Sequence, residues 1–249
     1  MCCVTAFVAL GLLGQLARPT RADWPVILSV GVFQLTCFFP LANLGVEVVP
    51  AGRSGVLAYT TTLWMVPLAL LVGERVGWRG LAGAALGLAG VAVIVDLPRF
   101  DWRDRAVLFG HACLLLAALC WAIAILQARR HRWHLSPLQV LPWQMAVATI
   151  LLVPIAALAE PAGRLDITDT SLLLVLLLLG VLGPSATWAA VSVARALPPL
   201  TASLGMLGVP LMGIVSSWAL LGEPITPALA LGTALVLAGI TTAILDRRA

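Results

Sequence analysis

Two Gly-Glu pairs, Gly73-Glu74 and Gly222-Glu223, are the most distinctive acidic features of this sequence. Each pair lies between two apolar runs. A carboxylate at a helix start is stabilised by the positive end of that helix, so each glutamate is predicted to face the helix that follows it. The alternative is a role in ion coupling or gating.

His111 is the one ionisable residue placed well inside an apolar run. An ionisable group at membrane depth is a functional candidate, although near a helix start it would only reach the headgroups. Uncharged polar residues also interrupt the runs, and inside a bilayer they must face protein or water. They are Gln34, Asn43, Tyr59, Gln144 and Ser192.

The sequence shows no pattern typical of a catalytic or metal centre. The five cysteines (Cys2, Cys3, Cys37, Cys113 and Cys120) have no histidine at ligand spacing, and no His-Asp or Glu-His constellation is present. We therefore predict no metal, no cofactor and no enzymatic activity. This also argues against an intramembrane enzyme that acts on lipids.

Composition places these residues in a membrane. The chain is 61% hydrophobic and 10% charged, where a soluble domain carries about 25% charged residues. Its apolar runs are continuous, which predicts an all-α polytopic membrane protein with about nine transmembrane helices. The runs are about Met1–Ala17, Trp24–Leu44, Ser54–Val72, Gly80–Val95, Ala106–Gln127, Pro137–Leu158, Ser171–Ala194, Leu200–Leu221 and Thr226–Leu245.

An internal duplication organises these runs. A shift of 149 positions aligns Gly73-Glu74 with Gly222-Glu223, and further glycines, a serine and a proline align without a gap. The aligned pairs are Gly83 with Gly232, Gly90 with Gly239, Pro50 with Pro199, and Ser54 with Ser203. We predict a first repeat over residues 1–98 and a second over residues 106–246.

The glycines of the two closing runs recur at helical spacing, which predicts a flat face for close helix packing.

The second repeat has five runs and the first has four, so the first helix of the first repeat is expected to be missing. Five helices per repeat make the two copies enter the membrane in opposite senses, as in transporters with inverted repeats. Glu74 and Glu223 then lie on opposite sides.

Arginine placement predicts the orientation. The sequence has no lysine, and one orientation puts ten arginines inside and five outside. In that orientation the C-terminus and the loop from Gln127 to Ser136 are cytoplasmic. The ten are Arg18, Arg21, Arg75, Arg79, Arg129, Arg130, Arg132, Arg195, Arg247 and Arg248.

These features together resemble the drug/metabolite transporter superfamily, specifically its EamA-type members. The resemblance covers essentially the whole chain and rests on the duplicated corners and closing helices, together with Leu57–Trp64, Cys120–Ala122 and Ser136–Met145. The chain departs from the family in having Pro67 in place of a proline near Thr61, and nine helices in place of ten. The motif residues are Gly73, Glu74, Gly83, Gly90, Pro210, Gly222, Glu223, Gly232 and Gly239.

The resemblance implies an inner- or plasma-membrane transporter that exports metabolites, amino acids or drugs by alternating access. Its partners would be a small-molecule substrate and the lipid bilayer, with no nucleic acid, and a homodimer is compatible with it. The alternative is a truncated remnant or assembly partner that does not transport.

Polar groups beside aromatic rings favour a central cavity for amphipathic or cationic solutes, the alternative being helix–helix contact and core filling. The candidate substrate-binding residues are Gln34, Tyr59, Trp64, Trp188 and Ser203.

Overall fold

The described part of the chain is helical and contains no strand. This computed structural model describes residues 2–95, 103–159, 170–171, 173–178, 180–183, 185 and 208–246. Its helices are α1 (Cys2–Leu12), α2 (Trp24–Ser29), a π-helix (Val30–Phe38), α3 (Phe39–Val46), α4 (Ala51–Ala58), α5 (Thr61–Leu71), α6 (Trp78–Val95), α7 (Arg105–Arg130), α8 (Pro137–Ala159), α9 (Gly208–Leu221) and α10 (Pro227–Asp246).

Nine apolar helical stretches within the described residues correspond one to one to the predicted runs. Five are long and apolar enough to cross a membrane: Trp24–Val46, Ala51–Leu71, Trp78–Val95, Arg105–Arg130 and Pro137–Leu158. Four are shorter: Cys3–Leu12, Leu173–Gly183, Gly208–Leu221 and Pro227–Ala243. The predicted all-α, polytopic fold class is confirmed.

Two predicted runs contain local breaks. The run from Trp24 passes through nine residues of π-helix before Pro40, whose missing N–H removes a backbone hydrogen bond. The run that was expected from Ser54 begins at Ala51 and is interrupted at Tyr59 and Thr60. The Thr60 hydroxyl donates to the Leu57 carbonyl over 2.6 Å, competing with regular helical bonding.

The chain divides into two compact units, each of which takes elements from both predicted repeats. The repeat boundaries stay a prediction. In the first unit (Met1–Thr36 and Gln127–Pro199), α1 and α2 pack on α8. Phe7 meets Trp143 edge to face at 5.3 Å, and the indole N–H of Trp143 donates to the Ala17 carbonyl.

The second unit comprises Cys37–Leu126 and Leu200–Ala249, and its described core lies between α4, α6, α7 and α10. Val56, Leu57, Ile94 and Val236 have no exposed surface there. Gly45 brings α3 close to α7, because a Cβ at this position would lie 2.5 Å from Leu114 Cγ.

The predicted glycine faces of α6 and α10 pack against each other. A Cβ at Gly83 would lie 2.6 Å from the Gly239 carbonyl oxygen, and a Cβ at Gly90 would lie 2.7 Å from that of Gly232. The numbers rise on one helix as they fall on the other, so the helices are antiparallel. The contacts are also reciprocal under the 149-residue shift, which is what inverted repeats related by a two-fold axis require.

Candidate functional site

Both Gly-Glu corners have the backbone geometry that only glycine adopts easily. Gly73 has φ of +80° and Gly222 has φ of +67°, in the left-handed region. At the first corner the Glu74 N–H donates to the Ala69 carbonyl over 2.9 Å and closes the end of α5. The glycine in each pair therefore ends one helix and turns the chain toward the next.

The Glu223 carboxylate caps a helix of the other predicted repeat. It accepts hydrogen bonds from the N–H groups of Ala51, over 2.8 Å, and Gly52, over 3.0 Å, at the start of α4. The Ser217 hydroxyl on α9 also donates to it. The expectation that Glu223 faces the helix that follows it is therefore wrong: the carboxylate binds the positive end of α4.

Glu74, in contrast, is exposed. The repeat partners of Ala51 and Gly52 under the 149-residue shift are Leu200 and Thr201, which lie outside the described residues. Among the described residues, the capping contact is made at the second corner.

Glu223→Gln is expected to destabilise the chain by about 1–2 kcal/mol, because an amide replaces a carboxylate that accepts charge-assisted bonds. Burial raises the pKa of Glu223, but hydrogen bonds from Gly52, Ser217 and Ala51 outweigh burial and lower that pKa. The stabilisation is thus present above the unfolded pKa of about 4.3 and is lost as the pH falls through the folded pKa.

The measurement is thermal melting of the purified chain at pH 7 and at pH 4. Glu47→Gln is the matched control, since Glu47 is exposed and lies four residues before α4. Equal melting temperatures for the two variants at pH 7 would contradict the capping role.

Asp23 is a second buried carboxylate, and the sequence analysis missed it. It has no exposed surface. Its Oδ1 accepts from the N–H groups of His134 and Leu135 over 2.7 and 3.2 Å. Its Oδ2 accepts from the Thr20 N–H and hydroxyl over 2.8 and 2.6 Å, so Asp23 joins two loops of the first unit.

Three of the predicted substrate-binding residues are described, and they occupy different units. Gln34 lies in the π-helix of the first unit, whereas Tyr59 and Trp64 belong to the second. Tyr59 sits at the break between α4 and α5 and packs on the core of its unit. Trp64 packs against the cluster of Met65, Ala122 and Leu126, so its described contacts are with protein.

Trp188 and Ser203 lie outside the described residues, and the assignment of all five residues to one cavity stays a prediction.

His111 is 8% exposed, and its Nδ1 lies 2.8 Å from the Val107 carbonyl of its own helix. Because a carbonyl can only accept, Nδ1 carries the hydrogen.

Within the described residues, no group of three or more histidine, cysteine or acidic residues is arranged to hold a metal. The fold is that of paired helical repeats, and comparison with known proteins gives the family. Residues 1–96 and 108–245 match the EamA-like transporter family. The chain belongs to this family.

Relatives of this EamA-like chain carry transporter names. A protein of Streptantibioticus cattleyicolor, named a probable terminal-alkyne amino-acid exporter, is 29% identical over 95% of this chain and 78% of its own. A probable amino-acid metabolite efflux pump of Escherichia coli is 25% identical over 95% of this chain and 81% of its own. The uncharacterized transporter YoaV of Bacillus subtilis is 24% identical over 82% of this chain and 70% of its own.

A solved crystal structure shares the fold, with a TM-score of 0.61 and 24% identity over 99% of this chain and 84% of the other. The name of the family and the names of these relatives indicate transporters rather than enzymes. This EamA-like chain is a multi-pass membrane transporter of small solutes, as the resemblance implied. The alternative of a remnant that does not transport is not favoured.

Proposed function

We propose that this transporter exports small amphipathic organic solutes, with amino acids and their derivatives as the first class to test. The observation that carries the proposal is the reciprocal, antiparallel contact between the closing helices of the two repeats. Inverted repeats let a transporter expose one site alternately to the two sides by exchanging the conformations of its halves. The names of the S. cattleyicolor and E. coli relatives support export and the amino-acid class.

Transport by the full chain in proteoliposomes tests this function. Vesicles loaded with unlabelled L-phenylalanine should accumulate labelled L-phenylalanine by exchange, and empty liposomes should not. A panel of aliphatic amino acids, aromatic acids and organic cations extends the test to the other classes. No exchange of any member by a correctly folded chain would reject the proposal and favour the remnant reading.

We also propose that the chain lies in the cytoplasmic membrane with its C-terminus inside. The arginine asymmetry of ten to five supports this orientation. Asp23 joins two arginine-containing loops, so both lie on one side of the membrane, as this orientation requires.

Reporter fusions check the orientation. A reporter after Arg248, or one inserted between His131 and Ser136 in the predicted cytoplasmic loop, is expected to give a cytoplasmic signal. A reporter in the loop that contains Arg103 is the internal control and should give the opposite signal. A periplasmic signal from the fusion after Arg248 would reject this orientation.

A further inference from the structure

A cavity of about 300 Å³ lies in the first unit, where the start of the α2 and π-helix segment approaches the end of α7. This volume is at the lower end of the range for small-molecule sites. None of the substrate-binding residues proposed above lines it. Its lining residues are Pro25, Leu28, Ser29, Val32, Phe33, Gln127 and His131.

Ser29 is the unusual member of this lining. The residue is 8% exposed, and its hydroxyl oxygen has no hydrogen-bond partner among the described residues. Thr36 shows the usual solution for a hydroxyl in this helix, since it donates to the Gly31 carbonyl over 2.8 Å. A buried hydroxyl without a partner is costly, so the Ser29 hydroxyl is suited to bind a polar atom placed in the cavity.

His131 and Gln127 add further polar groups to the lining. The Nδ1 of His131 lies 3.0 Å from the Gln127 carbonyl, and a carbonyl can only accept, so Nδ1 carries the hydrogen. In the neutral ring Nε2 is then left as an acceptor, while the Gln127 side chain offers both a donor and an acceptor. The cavity can therefore satisfy a ligand that both donates and accepts hydrogen bonds.

The remaining lining residues are apolar and include the Phe33 ring. They favour a branched or aromatic body on the ligand. Charge at this end favours a carboxylate, because three arginines lie in the flanking loops and Arg129 and Arg130 end α7. Among the described residues of this unit the one acidic side chain is Asp23, and its carboxylate is already engaged by Thr20, His134 and Leu135.

We propose that this cavity binds an amphipathic carboxylate that also carries a hydrogen-bond donor, of the size of an apolar α-amino acid. The Ser29 hydroxyl donates to the carboxylate, His131 and Gln127 accept from the amino group, and Leu28, Val32 and Phe33 contact the apolar body. This inference rests on the proposed transport function. In that function, the cavity is the site at which a solute first binds from the cytoplasmic side.

Binding of labelled L-phenylalanine to the purified full chain tests the site, with melting temperature as the second readout. Ser29→Ala is expected to weaken binding about 10- to 150-fold, the value of one hydrogen bond to a charged group. The same change should leave the melting temperature unchanged or raise it, because it removes a buried hydroxyl that has no partner. Leu28→Trp, which fills the cavity, is expected to abolish binding.

Ser54→Ala is the matched control, because Ser54 is also buried but donates to the Val49 carbonyl over 3.0 Å. Ser54→Ala should have a lower melting temperature than the parent chain and should bind L-phenylalanine as the parent chain does. 2-Phenylethylamine and 3-phenylpropionate, which lack the carboxylate and the amine respectively, should each bind more weakly than L-phenylalanine.

The site is overturned if the parent chain does not bind L-phenylalanine, or if Ser29→Ala binds as the parent does. A higher melting temperature with unchanged binding would mean that the hydroxyl is only a packing defect. Transport separates this failure from that of the proposed function. Suppose that the parent chain exchanges solutes and that Ser29→Ala and Leu28→Trp bind and exchange them equally well. The proposed site would then be wrong, while the proposed transport function would stand.

Discussion

Gly83→Leu prevents the normal packing of α6 on α10 and gives the largest loss of stability expected for a single substitution in this chain. Even the Cβ of Gly83→Ala would lie 2.6 Å from the Gly239 carbonyl oxygen and 2.8 Å from the Ala243 backbone nitrogen. Both neighbours are main-chain atoms of a helix and cannot rotate away, so overpacking costs about 3 kcal/mol. The gain in helix propensity of about 1 kcal/mol does not offset this.

The duplication makes the prediction symmetrical. Gly239→Ala would place a Cβ 2.5 Å from the Gly83 carbonyl oxygen and should be as damaging as Gly83→Ala. Thermal melting of the purified variants is the measurement. Gly213→Leu is the control, since a Cβ there meets no atom within 4 Å, and it should melt close to the parent chain. Parent-like melting of Gly83→Leu would contradict the close approach of α6 and α10.

Asp23→Ala is expected to destabilise the first unit by about 2–3 kcal/mol, because four donors lose a charged acceptor together. The Thr20 hydroxyl and the N–H groups of Thr20, His134 and Leu135 have no replacement on an alanine side chain. The stability of Asp23→Asn should lie between those of the parent chain and Asp23→Ala. Its amide keeps one acceptor oxygen but turns an N–H₂ group toward donors. Proteolysis of the loop around His134 should become faster in both variants.

Acid provides an independent check on Asp23. Burial raises the pKa of this carboxyl, but the hydrogen bonds from Thr20, His134 and Leu135 outweigh burial and hold the pKa well below its usual range. Its stabilisation is therefore complete above the unfolded pKa of about 3.9 and is lost only as the pH falls through the lower folded value.

Asp104→Asn is the control for Asp23→Ala, because Asp104 is exposed and accepts from the N–H groups of Ala106 and Val107 at the start of α7. If Asp23→Ala melted like Asp104→Asn at pH 7, Asp23 would have no role in joining the loops.

Local patterns in the sequence were sufficient for the class, the helices and the positions of close packing. Glycine spacing on α6 predicted a flat face because helical periodicity alone brings Gly83, Gly87 and Gly90 to one side. The duplication predicted that α10 carries the equivalent face. The π-helix and the break at Tyr59 were not predicted, since hydropathy does not distinguish a regular apolar helix from one with local backbone rearrangements.

The sequence by itself determined membrane class, repeat order and the Gly-Glu corners, because hydropathy, internal identity and the left-handed preference of glycine act over a few neighbouring residues. Only the tertiary structure decided which groups meet. Glu223 binds N–H groups 172 and 171 residues away, and Asp23 binds those of His134 and Leu135, 111 and 112 residues away. Among the described residues, the same packing leaves the Ser29 hydroxyl without a hydrogen-bond partner. Such contacts depend on how distant helices stack, and a helix start accepts any nearby carboxylate regardless of its place in the chain.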